Sequence, residues 1–163
     1  MIGSGAVSNQ VADVAEADTI IVIGANPTVN HPVAATFIKN AAKAGKNLIV
    51  LDPRKNDLAR HATHYLQFKP DTDVALLNAI MKSIIDQNLI DKKFIEERTT
   101  DFEDLKNHLN DFTPENMTSI CGIDAQTIHE VARIYASSPA SIIFWGMGIS
   151  QHIHGTDNAR ALI

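Results

Sequence analysis

The stretch Thr19-Ile20-Ile21-Val22-Ile23-Gly24 limits the possible folds more than any other part of the chain. Its apolar residues are consecutive rather than alternating, so the strand they form has no wet face. Such a strand must be covered on both sides, as in a parallel sheet flanked by helices. The next residues fit that demand. Asn26-Pro27 breaks the chain, Asn30 and Pro32 mark a helix start, and residues 33–44 fill the helix, with Phe37 and Ile38 facing inward and Gly45 as the stop. A second run, Asn47-Leu48-Ile49-Val50-Leu51-Asp52, comes next and ends at Pro53. Strand, helix and strand make one βαβ unit with a right-handed crossover.

The pattern continues. Residues 57–61 suit a short helix, and His64-Tyr65-Leu66-Gln67-Phe68 alternates like a third strand. Asp71-Thr72 caps a helix whose apolar stripe is Val74, Leu77, Met81, Ile84 and Ile85. Shorter helices are predicted over 92–98, 102–108, 114–118 and 125–136, with Thr113 and Asp124 as caps. Ser141-Ile142-Ile143-Phe144-Trp145-Gly146 returns as another buried strand. Strands alternating with helices specify an α/β fold, a Rossmann-like, mostly parallel sheet with flanking helices. The 163 residues suit a single dinucleotide-binding-type domain with a helical insertion at about 91–137.

Composition narrows the function classes. A net charge of −5 argues against a nucleic-acid binder, whose phosphate contacts need clustered Lys and Arg. The lone Cys121 excludes an internal disulfide and any multi-cysteine metal site, and reads as a small buried or turn residue. No apolar run reaches the roughly 18 residues of a membrane span. The start has no basic n-region or apolar h-region, so the expected setting is cytoplasmic. Residues 156–163 read as a helix without the usual stop signals, which is the expectation for a segment of a longer protein. His61 with His64, and His152 with His154, lack neighbouring Cys or Glu ligands, so no metal site is assigned. No nucleophile triad or paired-carboxylate site is recognisable, so no catalytic residue is assigned.

In an open parallel sheet ligands bind at the carboxyl ends of the strands, and three strand ends carry suitable residues. Gly24-Ala25-Asn26-Pro27 is a tight turn into a helix, suited to a phosphate. Asp52-Pro53-Arg54-Lys55 puts an acid 28 positions after Gly24, placed for ribose hydroxyls, beside an arginine able to stack on a base or pair with phosphate. Lys69-Pro70-Asp71-Thr72-Asp73 offers a carboxylate for the two N–H groups of a guanine edge. Taken singly, Asp52 and Asp71 read equally well as turn or cap residues, and Arg54 as a solvated charge. The opening Gly3-Ser4-Gly5-Ala6-Val7-Ser8 lacks the third glycine of a dinucleotide fingerprint and precedes the strand.

The ordered set Val22-Ile23-Gly24-Ala25-Asn26-Pro27-Thr28-Val29-Asn30-His31-Pro32, Leu51-Asp52-Pro53-Arg54, Lys69 to Asn78 and Trp145-Gly146-Met147-Gly148-Ile149-Ser150-Gln151 resembles the molybdopterin oxidoreductase superfamily. Within it, Asp91-Lys92-Lys93-Phe94 and Gly155-Thr156-Asp157-Asn158 look most like the catalytic alpha subunit of formate dehydrogenases. The resemblance implies a large enzyme that oxidises formate to carbon dioxide. It would carry two molybdopterin guanine dinucleotides around molybdenum or tungsten and pass electrons through 4Fe–4S clusters. Its partners would be the remaining domains of the same polypeptide and iron–sulfur or NAD-linked electron-transfer subunits.

By motif match, Gly24, Asn26 and Asn30 line the phosphate turn. Asp52, Pro53 and Arg54 meet the guanosine, and Asp71, Thr72 and Asp73 the guanine edge. Met147 and Gln151 approach the cofactor from the last strand, plain core packing being the other reading of Met147. Val29 stands where members commonly carry an acid, so that contact is absent here. The alternatives are the same arm site in a nitrate reductase or another molybdopterin enzyme, and a generic nucleotide-binding or interaction module.

Overall fold

A computed structural model describes residues 9–163; the glycine-containing opening at residues 3–8 lies outside them. The chain divides into two compact units. One, the sheet unit, comprises the described residues through Gln67 together with Ser138–Ile163; the other, the helical unit, is Phe68–Ser137.

In the sheet unit four parallel strands, β1 (Thr19–Ile23), β2 (Asn47–Leu51), β3 (His64–Leu66) and β4 (Ser141–Trp145), are ordered β3-β2-β1-β4. Ile21 pairs with Ile49 on one side and Ile143 on the other. The consecutive apolar residues of β1 and β2 are accounted for, since Ile20, Val22 and Ile23 are buried, as are Leu48 to Leu51. One face joins Ile20, Val22, Leu48 and Val50 to Val14, Ile38, Ala41 and Leu58. Burying each such side chain stabilises by about 1.5–3 kcal/mol before entropy is counted. Thr19, buried at the start of β1, hydrogen-bonds Ser138 Oγ at 2.5 Å.

Helix α1 (Pro27–Asn30) is one turn, and α2 (Pro32–Lys43) carries the crossover to β2. Gly45 ends α2 at φ 92°. Its amide donates to Ala42 O and that of Lys46 to Ala41 O, both at 3.1 Å, the two bonds of a Schellman stop. The inward face of α2 is Ala35, Ile38 and Ala41. Phe37, expected inward, is exposed: it is offset from Ile38 by about 100° around the helix, so the two cannot share one narrow face.

Strand β3 is shorter than the alternation suggested, although Phe68 beyond it is buried. Strand β4 also differs from expectation. It lies at the sheet edge with only partly covered side chains, because β1 is its one neighbour within the sheet. The sheet unit closes with α8 (Met147–Ser150) and α9 (Gly155–Leu162).

The helical unit contains α3 (Asp73–Asp86), α4 (Lys92–Arg98), α5 (Phe102–His108), α6 (Pro114–Cys121) and α7 (Ala125–Ser137). The caps predicted at Thr113 and Asp124 form, Thr113 Oγ1 accepting from Asn116 N–H and Asp124 Oδ1 from Thr127 N–H. Helix α3 packs against α6 and α7. The deepest side chains of α3 are Asp73, Leu76, Asn78, Ala79 and Ser83, whereas Val74, Leu77, Met81, Ile84 and Ile85 are only partly buried. Apolar residues surround much of α3, so spacing alone does not select its deepest face, and small Ala79 and Ser83 allow the close approach of a neighbouring helix. Thr72 precedes α3, but its hydroxyl donates back to Lys69 O at 2.6 Å instead of capping the helix. Cys121 is fully buried.

Candidate dinucleotide-binding edge

From β1 the chain progresses outward through β2 and β3, then returns to the other side of β1 as β4. The carboxyl ends of β1 and β4 therefore flank the point where strand order reverses, the usual ligand position in such sheets. Gly24 leaves β1 at φ 56°, its amide donating to Leu51 O at 3.1 Å and its carbonyl accepting from Gly148 N–H at 3.0 Å. The two backbones touch. A Cβ on Gly24 would come within 2.8 Å of Gly148 C, and one on Gly148 within 2.5 Å of Gly24 O. Much of the need for glycine at both positions is thus internal, joining the turn after β1 to the one after β4.

The turn after β4 is held in several ways. Ile149 N–H donates to Gly146 O and Gln151 N–H to Met147 O. The buried Asn158 of α9 donates from Nδ2 to Ile149 O at 3.0 Å. A Cβ on Gly155 would collide with the Ser150 carbonyl, so α9 starts hard against that turn. Ile149 is buried while Met147, 64% exposed, and Gln151 face outward. The core-packing reading of Met147 therefore does not describe this chain.

In the turn after β1, Asn26 O accepts from the amides of Val29 and Asn30, and Asn26 Oδ1 accepts from Thr28 Oγ1 at 2.6 Å. Pro27 is buried, whereas Val29 and Asn30 are exposed. After β2, Asp52 Oδ1 accepts from Arg54 N–H at 2.8 Å and Oδ2 from Asn56 Nδ2 at 3.3 Å. Tyr65 Oη on β3 donates to Asp52 O at 3.0 Å, and Gln67 Nε2 donates to Pro53 O. Burial, then the Asp52 charge, raises the Tyr65 phenol above its ordinary range, so it stays a donor. Arg54 is exposed.

Gly24, Asn26, Asp52, Pro53, Arg54 and Met147 thus share the carboxyl edge of the sheet, with Asn30 and Gln151 just beyond it. Asp71, Thr72 and Asp73 belong to the helical unit. There Asp71 is exposed at φ 62°, and Asp73 is buried at the start of α3. Among the described residues no group of three or more His, Cys, Asp and Glu side chains could hold a metal ion. Nor is any helix there long and apolar enough to cross a membrane. Sequence reasoning gave no role at this edge to Asn56, Gly148 or Asn158, although the last two lie within motifs that carry the resemblance. Asn56, four residues after Asp52 and before a short helix, carried only a cap-like signal.

Comparison with known proteins identifies the family. The sequence profile of the molybdopterin oxidoreductase family matches residues 2–163. The chain is 44% identical over 160 residues to the F420-dependent formate dehydrogenase subunit alpha of Methanocaldococcus jannaschii, covering 98% of this chain and 24% of that protein. It is 38% identical over 161 residues to formate dehydrogenase H of Escherichia coli, covering 99% of this chain and 22% of that protein. Among solved structures, acetylene hydratase from Pelobacter acetylenicus superposes with a TM-score of 0.82 at 29% identity, over 93% of this chain and 22% of that one. The chain therefore spans about a quarter or less of the length of the relatives it matches, and it belongs to the molybdopterin oxidoreductase family.

Proposed function

We propose that this chain seats the guanosine end of a molybdopterin guanine dinucleotide within a formate dehydrogenase alpha-type enzyme. The observation that carries this reading is the Asp52–Arg54 turn at the end of β2, where the backbone N–H of the exposed Arg54 donates to the Asp52 carboxylate. A carboxylate at that position accepts from ribose hydroxyls. The chemistry of the residues fits the group. Arg54, exposed after β2, offers a planar cation to base or phosphate. The amides of Gly24, Val29 and Asn30 are engaged within the fold, so Ala25, Asn26 and Thr28 are the turn positions to test for phosphate contact.

When bound, the cofactor supplies redox-active molybdenum or tungsten; the residues of this chain hold and orient its nucleotide arm. Oxidation of formate to carbon dioxide, 4Fe–4S clusters and electron-transfer partners belong, in this reading, to the rest of the enzyme, and its compartment is the cytoplasm. The two units serve as one module of that enzyme. A second reading keeps the arm site but changes the substrate, as the likeness to an acetylene hydratase allows.

Calorimetric titration of the chain with GDP, GMP and NAD, repeated on Asp52→Ala, tests the proposal. Guanine-selective binding that the substitution abolishes is the expected result. NAD binding with no guanine preference overturns it in favour of a generic dinucleotide module.

A further inference from the structure

Asn56 sits between the two strand ends that the dinucleotide reading uses. Its Oδ1 accepts from Leu58 N–H at 3.0 Å, which fixes the plane of the amide. Its Nδ2 then faces two acceptors, Asp52 Oδ2 at 3.3 Å and Ala25 O at 3.4 Å. The remaining oxygen of Asp52 is held by Arg54 N–H at 2.8 Å. A carboxamide is suited to this place because it accepts once and donates twice without a charge. A hydroxyl has a single proton to give, and a carboxylate at neutral pH has none.

We propose that Asn56 is the positioning residue of the dinucleotide edge, one amide setting the Asp52 carboxylate and the Gly24–Asn26 turn in register for ribose and phosphate of the same ligand. The proposal rests on the cofactor-arm reading for the identity of that ligand. Asn56 acts through Asp52 and the Ala25 carbonyl, so it needs no contact with the nucleotide itself. The charged and titratable groups around the pair are Arg54, Lys55 and Asp57 on the same loop and Tyr65 on β3. Helix α1 contributes none, and the 57–61 turn carries Arg60 and His61 with Lys39 and Lys43 of α2 acting on the latter.

The variant that isolates this role is Asn56→Asp. It keeps the acceptor for Leu58 N–H, so the 57–61 turn stays capped. It removes both donors and sets a second carboxylate against Asp52. GDP affinity of the whole chain, measured by calorimetry at pH 7.5, is expected to fall roughly tenfold, with the thermal midpoint little changed. Toward pH 5 two adjacent carboxylates share a proton, which restores a donor, so the variant regains affinity relative to the parent chain.

Amide hydrogen exchange supplies a readout that needs no ligand. Arg54 N–H should exchange faster in the variant while Leu58 N–H stays protected. Unchanged GDP affinity, or a loss without recovery at low pH, overturns the proposal. Unchanged exchange at Arg54 overturns it as well. If the parent chain binds no GDP but Arg54 responds as described, the positioning role stands and the cofactor-arm reading fails.

Discussion

Glycine does two different jobs in this chain, and substitution separates them. At Gly45 nothing lies within 4 Å of an added Cβ, so Gly45→Ala meets only the left-handed backbone, a cost of about 1 kcal/mol. At Gly148 an added Cβ would press on the Gly24 carbonyl and Cα, so Gly148→Ala should cost roughly 1–3 kcal/mol through forced backbone movement. Urea unfolding of the two variants checks the order, and equal losses would contradict the close approach of the two turns. Phe37 and Leu48 make a second pair. Leu48→Ala empties a fully buried site and should cost about 2–5 kcal/mol, whereas Phe37→Ser on the surface should stay within about 0.5 kcal/mol. Gly24, Asp52 and Arg54 were legible as candidates because turn glycines and strand-end acids are local features. Asn56 and Asn158 were not, since their value lies in partners 31 and 9 positions away, Ala25 and Ile149.

Element boundaries were legible where stop and start signals are chemical. The range of α4 and that of α5 agreed with the prediction, while α6 ran on to Cys121, where Gly122 at φ 81° ends it. Depth of burial was less legible, as α3 and β4 illustrate, because it depends on which neighbour arrives. In the helical unit one polar tie joins three helices. Ser83 Oγ pairs with His129 Nδ1 at 2.8 Å, His129 Nε2 with Glu115 Oε1 at 3.2 Å, and Gln87 Nε2 donates to Ser83 Oγ.

Glu115 lies below the usual glutamate range, chiefly through its own backbone hydrogen bond and then through His129. Asp124 lies below its range through bonds from Thr127. Depressed carboxylates contribute stability that is present above their unfolded values and lost as pH falls through the folded ones. His61 is lowered by burial and then by Arg60, Lys43 and Lys39, so its protonation also opposes folding below its ordinary value of 6.5. Urea midpoints should therefore fall from pH 7 towards pH 3, first through His61 and then through the two carboxylates. His61→Gln should flatten the upper part of that decline, and an unchanged slope there would contradict the assignment.

Across the whole molecule, the sheet unit takes its residues from both ends of the described chain, Phe68–Ser137 being the intervening helical unit. Sequence periodicity identified the α/β class and each strand, and placed a helical insertion at about 91–137. The compact helical unit spans Phe68–Ser137 and includes α3, since compactness depends on packing between distant segments rather than on local period. With a net charge of −5, the proposed binding of an anionic dinucleotide would rely on local amides and Arg54 instead of the overall field. Nuclear magnetic resonance mapping of GDP onto the isotopically labelled chain, with ADP as control, tests the guanosine seat most directly. Saturable shifts are expected at Ala25, Asn26, Asp52 and Arg54 with GDP, and weaker ones with ADP. Shifts confined to other surfaces, or identical for the two nucleotides, would contradict a guanosine seat at the carboxyl edge of this sheet.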